Sequence, residues 1–393
     1  MKIAIIGGGA AGMMAAATLI EADQKLEVHL FEKNNKLGTK VRISGGGRCN
    51  VTTGIRDRKL LLTKYMRGAE FLKTALGKFS PKACYEWFEE RGVPLKNEED
   101  NRVFPVSDNG DDIVAVFEKL PIQTHLQESV LNIEPRFKIT TDKQEYEFDI
   151  VIITTGGNAF AHTGSTGDGY HFAKNLSHTI TKLGPSLNSF ETEQDWPKEL
   201  SGLALEIAKL NDQEGPFLFT HFGISGPVTF AYSATIAFED MPQTVNFAPT
   251  NLSFDQINQQ LTEILNQNGA KQIHNVLHFT PKRLTETLLK LSHIDPETKC
   301  AELSKDQRKS LAKNLTGSLQ LTLKKRRPGD EFVTAGGVTL SEVDPNTMRS
   351  KINPNLYFAG EILDIDGVTG GFNLQSSWAT GRLAAKSVLQ GIA

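Results

Sequence analysis

A glycine turn wedged between an apolar strand and an alanine-rich helix constrains this chain most. Lys2–Ile6 (KIAII) is a short apolar run of the kind that makes a buried parallel strand. It leads into Gly7-Gly8-Gly9-Ala10-Ala11-Gly12, after which Ala10–Ala22 reads as a helix. Glu27–Phe31 (EVHLF) is the next strand and ends at Glu32, twenty residues past Gly12. This is the spacing of a β-α-β unit of about 30 residues carrying G-x-G-x-x-G. Gly7 allows a tight turn, Gly9 lets a pyrophosphate approach the backbone, and Gly12 permits close helix–strand packing. The N–H groups at the helix start, around Ala10 and Ala11, offer phosphates free donors and a partial positive charge. Glu32 is placed to accept hydrogen bonds from ribose hydroxyls. The competing reading is a tight turn in some other doubly wound sheet.

Three further glycine clusters follow the first, and they account for an excess of glycine, 34 in 393 residues. Ser44-Gly45-Gly46-Gly47-Arg48-Cys49-Asn50 places three glycines in a row. Such a run has no side chains to pack and costs backbone entropy, so it suits a loop whose backbone touches a ligand. Arg48 suits a phosphate or an anionic substrate, and equally a solvated loop. Asn50 suits an amide-like ring edge. Cys49 is either redox-active or a small apolar lining residue. Thr154-Thr155-Gly156-Gly157 closes the apolar run DIVIITT and is not a second G-x-G-x-x-G. A dedicated nicotinamide-binding module is therefore not expected. The fourth cluster is Gly360-Glu361, then Asp364, Asp366, Gly367 and Gly370-Gly371-Phe372-Asn373. A carboxylate after such a strand can bind ribityl hydroxyls. A helix starting near Gly371 can stabilise negative charge on the N1/C2 carbonyl side of a reduced flavin. Asp364-x-Asp366-Gly367 is a fragment of a calcium loop, but no bidentate Glu follows at its twelfth position.

Charge excludes little beyond the extremes. The net charge of −3 is not that of a basic nucleic-acid coat or an acidic tail. Cys49, Cys84 and Cys300 are widely spaced with no C-x-x-C, which fits a reducing cytosol and gives no local metal knuckle. The charge-free run Ile3–Ile20 is interrupted by glycines and closed by Glu21 and Asp23, so a strand, turn and helix explain it better than a membrane anchor. Helical patterns cover Arg58–Leu76, Pro81–Arg91 and Ile113–Leu120, while Ile122–Thr141 and Glu145–Thr155 read as strands. The texture turns β-rich near Ser186 and helical from Ser253 to Leu315. The expected layout is a discontinuous nucleotide-binding domain, 1–185 with 328–393, interrupted by a β-rich insertion at 186–252 and a helical subdomain at 253–327.

Five blocks are longer and more particular than G-x-G-x-x-G. They are ISGGGRCNVT (Ile43–Thr52), TGSTGDGY (Thr163–Tyr170), LFTHFGISGP (Leu218–Pro227), TAGGV (Thr334–Val338) and LYFAGEILDIDGVTGGFNLQ (Leu356–Gln375). Together, and in this order, they resemble the YhiN/BaiN-like family of FAD-dependent oxidoreductases, from Lys2 to about Lys386. The resemblance implies an α/β fold. Its FAD-binding domain is Rossmann-like, of the two-dinucleotide-binding type, and is interrupted by a β-barrel-like domain and a small helical domain. It carries FAD contacts onto Gly7, Gly9, Gly12, Glu32, Lys33, Gly46, Arg48, Cys49, Asn50, Gly156, Gly360, Glu361, Gly371, Phe372 and Asn373. Ala10, Ala11, Thr155 and Gly157, beside these, are expected to bind the cofactor as well, and Val130 to meet the adenine through its backbone. Two departures bear on the substrate: Gln375-Ser376-Ser377-Trp378 lacks the family's second aromatic, and Leu210–Pro216 is short.

The catalytic candidate is His221 in FTHFGISGP, where a strand turns into a helix opened by Ser225, Gly226 and Pro227. Pro227 suits the first helical turn and Ser225 a cap. An imidazole there could bind or protonate a substrate, or simply hydrogen-bond the barrel. His162 and His171 read as structural or surface residues. The basic runs Arg56–Lys59 and Lys324–Arg327 read as solvated loops. The expectation is a cytoplasmic enzyme without a metal, passing hydride via flavin N5 from transient NAD(P)H to an unsaturated or carbonyl-like acceptor. Reduction of uridine in ribosomal RNA and a non-catalytic FAD scaffold are the alternatives. The acceptor, small molecule or RNA base, and the oligomeric state stay open.

Overall fold

The computed structural model describes residues 1–392. The chain divides into two units, Met1–Ser186 with the segment from Glu331 onwards, and Leu187–Asp330.

The first unit is built on a five-stranded parallel sheet. Its order is Leu356–Phe358, Ile150–Ile153, Lys2–Ile6, Glu27–Glu32, Gln123–Leu126. Ile3, Ile5, Val151, Ile152 and Phe358 are wholly buried, as expected of strands covered on both faces. Because all five run the same way, their carboxyl ends share one edge. Ile6 pairs in register with Ile153 and Phe31, and Ile153 pairs with Phe358. Gly7, Thr154 and Ala359 therefore leave the sheet side by side, at the point where successive strands turn to opposite sides of Lys2–Ile6. Ligands of open α/β sheets bind at such a switch point. The Ala10–Ala22 helix packs on the Phe372–Ile392 helix with backbones close together: a Cβ at Gly381 would lie 2.2 Å from the Ala11 carbonyl oxygen.

Two stretches differ from the sequence reading. Ile122–Thr141 is three strands, Gln123–Leu126, Val130–Ile133 and Lys138–Thr141, broken where Gln127, Arg136 and Phe137 take positive φ. Only the first joins the parallel sheet; the others form an antiparallel meander with Glu145–Glu147. The helical pattern at Arg58–Leu76 is interrupted by the strand Tyr65–Arg67, which pairs with Asp366–Gly367 near the start of the C-terminal helix.

The second unit holds a closed barrel of Phe190–Thr192, Gly223–Ser225, Gln213–Thr220, Ala204–Leu210, Gln243–Ala248 and Leu319–Arg326. Leu319–Arg326 falls within the segment read as helical, 253–327. It is a strand because the barrel closes through it: it pairs with Gln243–Ala248 on one side and Phe190–Thr192 on the other, leaving no free edge. Helices Phe254–Gln267, Lys282–Leu291 and Lys305–Leu315 lie between those last two barrel strands in sequence. Ser253 with Gln256 and Ser304 with Gln307 open two of them as capping boxes. Phe217, Phe219 and Phe247 share one apolar cluster with Ile257, Leu261 and Leu288. The short Leu210–Pro216 stretch is a hairpin turning at Asn211-Asp212. No helix among the described residues is long and apolar enough to cross a membrane.

Candidate dinucleotide site

The first glycine cluster has three different jobs. Gly7 sits at φ +109, and a Cβ there would lie 2.7 Å from the Thr154 carbonyl oxygen. Gly12 is tighter still, with the Gly7 carbonyl oxygen 2.0 Å from its Cβ position. Gly9 is the reverse: nothing lies within 4 Å. The cradle is open where a pyrophosphate needs backbone access and closed where strand and helix meet. No side chain caps the helix, so the donors at Ala10, Ala11 and Gly12 have no partner from within it.

Glu32 lies against this turn. Its Oε2 accepts the Gly8 N–H at 2.9 Å, and its Oε1 accepts both the backbone N–H and the side-chain amide of Asn34, at 2.9 and 2.8 Å. Burial pushes its carboxyl above the usual range, opposed by those donors. Lys33 reaches away to Asp168 at 2.6 Å. The Val130 segment is brought alongside by two backbone bonds, Gln127 N–H to the Asn34 carbonyl and Glu128 N–H to the Glu32 carbonyl. The expected adenine and ribose contacts are thus neighbours.

In the second cluster Gly45, Gly46 and Gly47 all have positive φ, and the Cβ directions of Gly46 and Gly47 point into open space. Arg48 spends its charge within the protein. Its guanidinium lies 3.7 Å over the Phe104 ring and bonds Glu98 at 2.7 Å, with Asp108 at 3.4 Å. Asn50 Oδ1 accepts the Val103 N–H at 3.2 Å. Cys49 is fully buried, and burial pushes its thiol up to about 12. That favours the lining reading over the redox one. Cys84 and Cys300 are buried too, their thiols also raised by burial. A thiol reagent at pH 8 should find no fast-reacting group in the native protein and three after denaturation. A fast native thiol traced to Cys49 would reverse that reading.

The third and fourth clusters meet. Thr154 Oγ1 donates towards the Ile6 and Gly7 carbonyls, at 3.0 and 2.9 Å. Thr155 Oγ1 is buried, and the Cβ position of Gly169 lies 1.9 Å from it. Gly156 is left-handed at φ +75, and a Cβ at Gly157 would meet Thr334 Oγ1 at 2.4 Å and Glu361 Oε1 at 3.0 Å. Glu361 itself accepts the Thr334 N–H at 2.9 Å and pairs with Lys40 at 3.1 Å. Gly360 faces the first helix, its Cβ position 2.9 Å from the Ala11 Cβ. Gly371 lies against the second cluster: a Cβ there would be 2.2 Å from the Thr52 carbonyl oxygen and 3.0 Å from Asn50 Oδ1. Tyr65 donates to the Phe372 carbonyl at 2.9 Å. Asn373 clamps the Gly367 backbone, accepting from its N–H and donating to its carbonyl, both at 2.8 Å.

The model of the HI0933-like protein Rossmann domain matches residues 1–387. The chain belongs to this family. It is 30% identical to a 3-dehydro-bile acid delta(4,6)-reductase of Clostridium scindens, over 99% of both chains. It is 27% identical to a ribosomal RNA dihydrouridine synthase of Escherichia coli, over 98% of this chain and 97% of that one. Among solved structures it resembles a flavocytochrome c3 fumarate reductase in its open conformation. The TM-score is 0.53 at 16% identity, over 99% of this chain and 78% of that one, a likeness of fold. As a member of this family the protein is an FAD-dependent oxidoreductase, against the scaffold alternative. The residues present fit FAD. Gly9, Gly46 and Gly47 leave backbone open, the first helix start is uncapped, and Glu32 and Glu361 place carboxylates beside the first and third glycine clusters.

Sequence reasoning did not single out Lys40, Asn34, Ser165, Thr334 or Tyr65. Ser165 and Thr334 fall inside the quoted blocks TGSTGDGY and TAGGV, whereas nothing local marks Lys40. In this family member His221 is exposed in the second unit, at the turn before Gly223–Ser225, its ring edge-on to Phe222 at 5.1 Å. Pro227 does open the helix Pro227–Thr235, but the capping position is Gly226. Ser225 instead bonds Ser189 Oγ at 2.9 Å. His162 and His171 are exposed. The basic runs are largely committed: Arg58 to the Lys73 carbonyl, Arg326 to the carbonyls of Glu239 and Ile236, and Lys325 and Arg327 to Glu191. Asp366 is fully buried against Arg67 and Ser186, and no metal-ligating group of three exists among the described residues.

Proposed function

We propose that this protein reduces a conjugated carbon–carbon double bond in a small unsaturated, carbonyl-bearing acceptor, using a nicotinamide as transient hydride donor. End-to-end similarity to the bile-acid delta(4,6)-reductase, combined with a dinucleotide site complete in its backbone, supports this reading most. When bound, FAD would supply the hydride-transfer chemistry, at flavin N5. The chain's own residues bind and orient. The Gly7–Gly12 turn and first helix start receive the pyrophosphate, Glu32 the adenosine ribose, and Glu361 the ribityl hydroxyls. The start of the Phe372–Ile392 helix offers its N–H groups to negative charge on the pyrimidine edge. His221 is proposed as a substrate-side group, and the cytoplasm as the compartment, in keeping with three unpaired cysteines.

Uridine reduction in ribosomal RNA is the second reading, favoured by the similarity to the dihydrouridine synthase. The two share the chemistry of a double bond conjugated to a carbonyl. The purified protein should show flavin absorption or take up FAD, and anaerobic NADH or NADPH should bleach it within seconds to minutes. Flavin that neither nicotinamide reduces would remove the proposed donor. RNA binding that weakens steeply with salt would favour the RNA substrate, and its absence would sink that reading.

A further inference from the structure

The segment around the short helix Thr39–Ile43 is tied to all four glycine clusters, directly or through one intervening side chain. Before it, the Gly38 N–H donates to the Gly8 carbonyl at 2.9 Å, which fixes the helix on the first cluster. After it, the chain runs directly into Ser44–Gly47, the second. From its middle, Lys40 extends to the other two. Its Nζ donates to Ser165 Oγ at 3.2 Å, and Ser165 Oγ donates to the Gly157 carbonyl at 2.9 Å. The same Nζ pairs with Glu361 Oε2 at 3.1 Å. The other oxygen of that carboxylate accepts the Thr334 N–H. Glu361 is therefore held at both oxygens, each keeping room for one further donor, and its side chain is only 16% exposed against 29% for Lys40.

We propose that Lys40 is the positioning residue of the FAD site, its ammonium holding the Glu361 carboxylate aimed to receive the ribityl hydroxyls. The proposal rests on Glu361 being a flavin ligand. A carboxylate so shielded loses its counter-charge when Lys40 is removed, and an unpaired charge in that setting turns to water and away from the ribityl position. A guanidinium does not replace the ammonium, because its planar fork cannot sit between Ser165 and Glu361 as a compact point donor does.

The test is a double-mutant cycle on FAD affinity, read by quenching of flavin fluorescence. The variants are Lys40→Met, Glu361→Gln and the pair together. Lys40→Met is expected to weaken FAD binding about tenfold, with the double variant no weaker than Glu361→Gln alone. The bound flavin's absorption envelope should shift alike in both single variants. Lys40→Gln, which keeps a donor and is milder on folding, should fall between wild type and Lys40→Met. Wild-type affinity in Lys40→Met overturns the proposal. Additive losses do so too, since they would mean that Lys40 meets the cofactor directly. A wild-type chain that takes up no FAD would overturn the cofactor reading and this proposal with it, whereas an unchanged Lys40→Met beside a normal wild type removes the proposal alone.

Discussion

Gly12→Ala is expected to leave a protein that no longer retains FAD through desalting and unfolds at markedly lower denaturant. Two effects oppose each other at this position. Alanine is favoured over glycine inside a helix by about 1 kcal/mol. Against that, the added Cβ would sit 2.0 Å from the Gly7 carbonyl oxygen and 2.7 Å from Thr154 Oγ1. Neither contact can be relieved by swinging a flexible side chain, because one is backbone and the other is a hydroxyl bonded to the Ile6 and Gly7 carbonyls. Overpacking of this kind costs about 1–3 kcal/mol or more, so packing wins over propensity. Relief requires the first turn of the helix to move off the sheet, which carries the Ala10 and Ala11 donors away from the phosphate position. Chemical denaturation of the apoprotein and FAD titration check the two halves separately. A variant that keeps both stability and FAD would contradict the close packing of this turn.

Trp378→Ala is expected to give the largest loss of stability, about 3–5 kcal/mol. The indole is fully buried in the C-terminal helix, edge-on to Phe88 and stacked on Phe117 with ring centroids 5.6 and 5.7 Å away. Its Nε1–H donates to the Val51 carbonyl at 3.0 Å, tying that helix to the end of the second glycine cluster. Trp378→Phe separates the two contributions. It keeps most of the packing and strands a buried carbonyl, which costs about 1–3 kcal/mol. Urea midpoints should therefore order wild type, Trp378→Phe, Trp378→Ala, and FAD affinity should follow the same order. Equal midpoints for wild type and Trp378→Ala would refute this account.

The neighbouring residues show how far the chain could be read without its fold. Gln375 lies beside Trp378 in sequence, and its side chain bridges Thr52 and the Phe79 carbonyl, a role no pattern announces. Ser376 and Ser377 bond the Asn373 carbonyl. Arg48 was legible as a charged residue in a ligand loop, but its commitment to Glu98, Asp108 and Phe104 was not. Those partners arrive from a strand and a turn some fifty residues on. The Arg58–Leu76 pattern was misread for a related reason. Apolar spacing over a few turns does not reveal that Tyr65–Arg67 has a strand partner at Asp366–Gly367.

By itself the sequence determined the first β-α-β unit. Its strand, glycine turn, helix and terminal acid are contiguous, and each is dictated by local sterics and burial. It also determined that glycine recurs in four clusters along the chain. Only the tertiary structure decided which cluster meets which. The parallel sheet brings Gly7, Thr154 and Ala359 to one edge, and the pairing of Lys40 with Glu361 spans 321 residues. Barrel closure through Leu319–Arg326 has the same origin. Such contacts are set by chain topology and by the free energy of burying distant surfaces together, and neither leaves a periodic trace in the residues themselves.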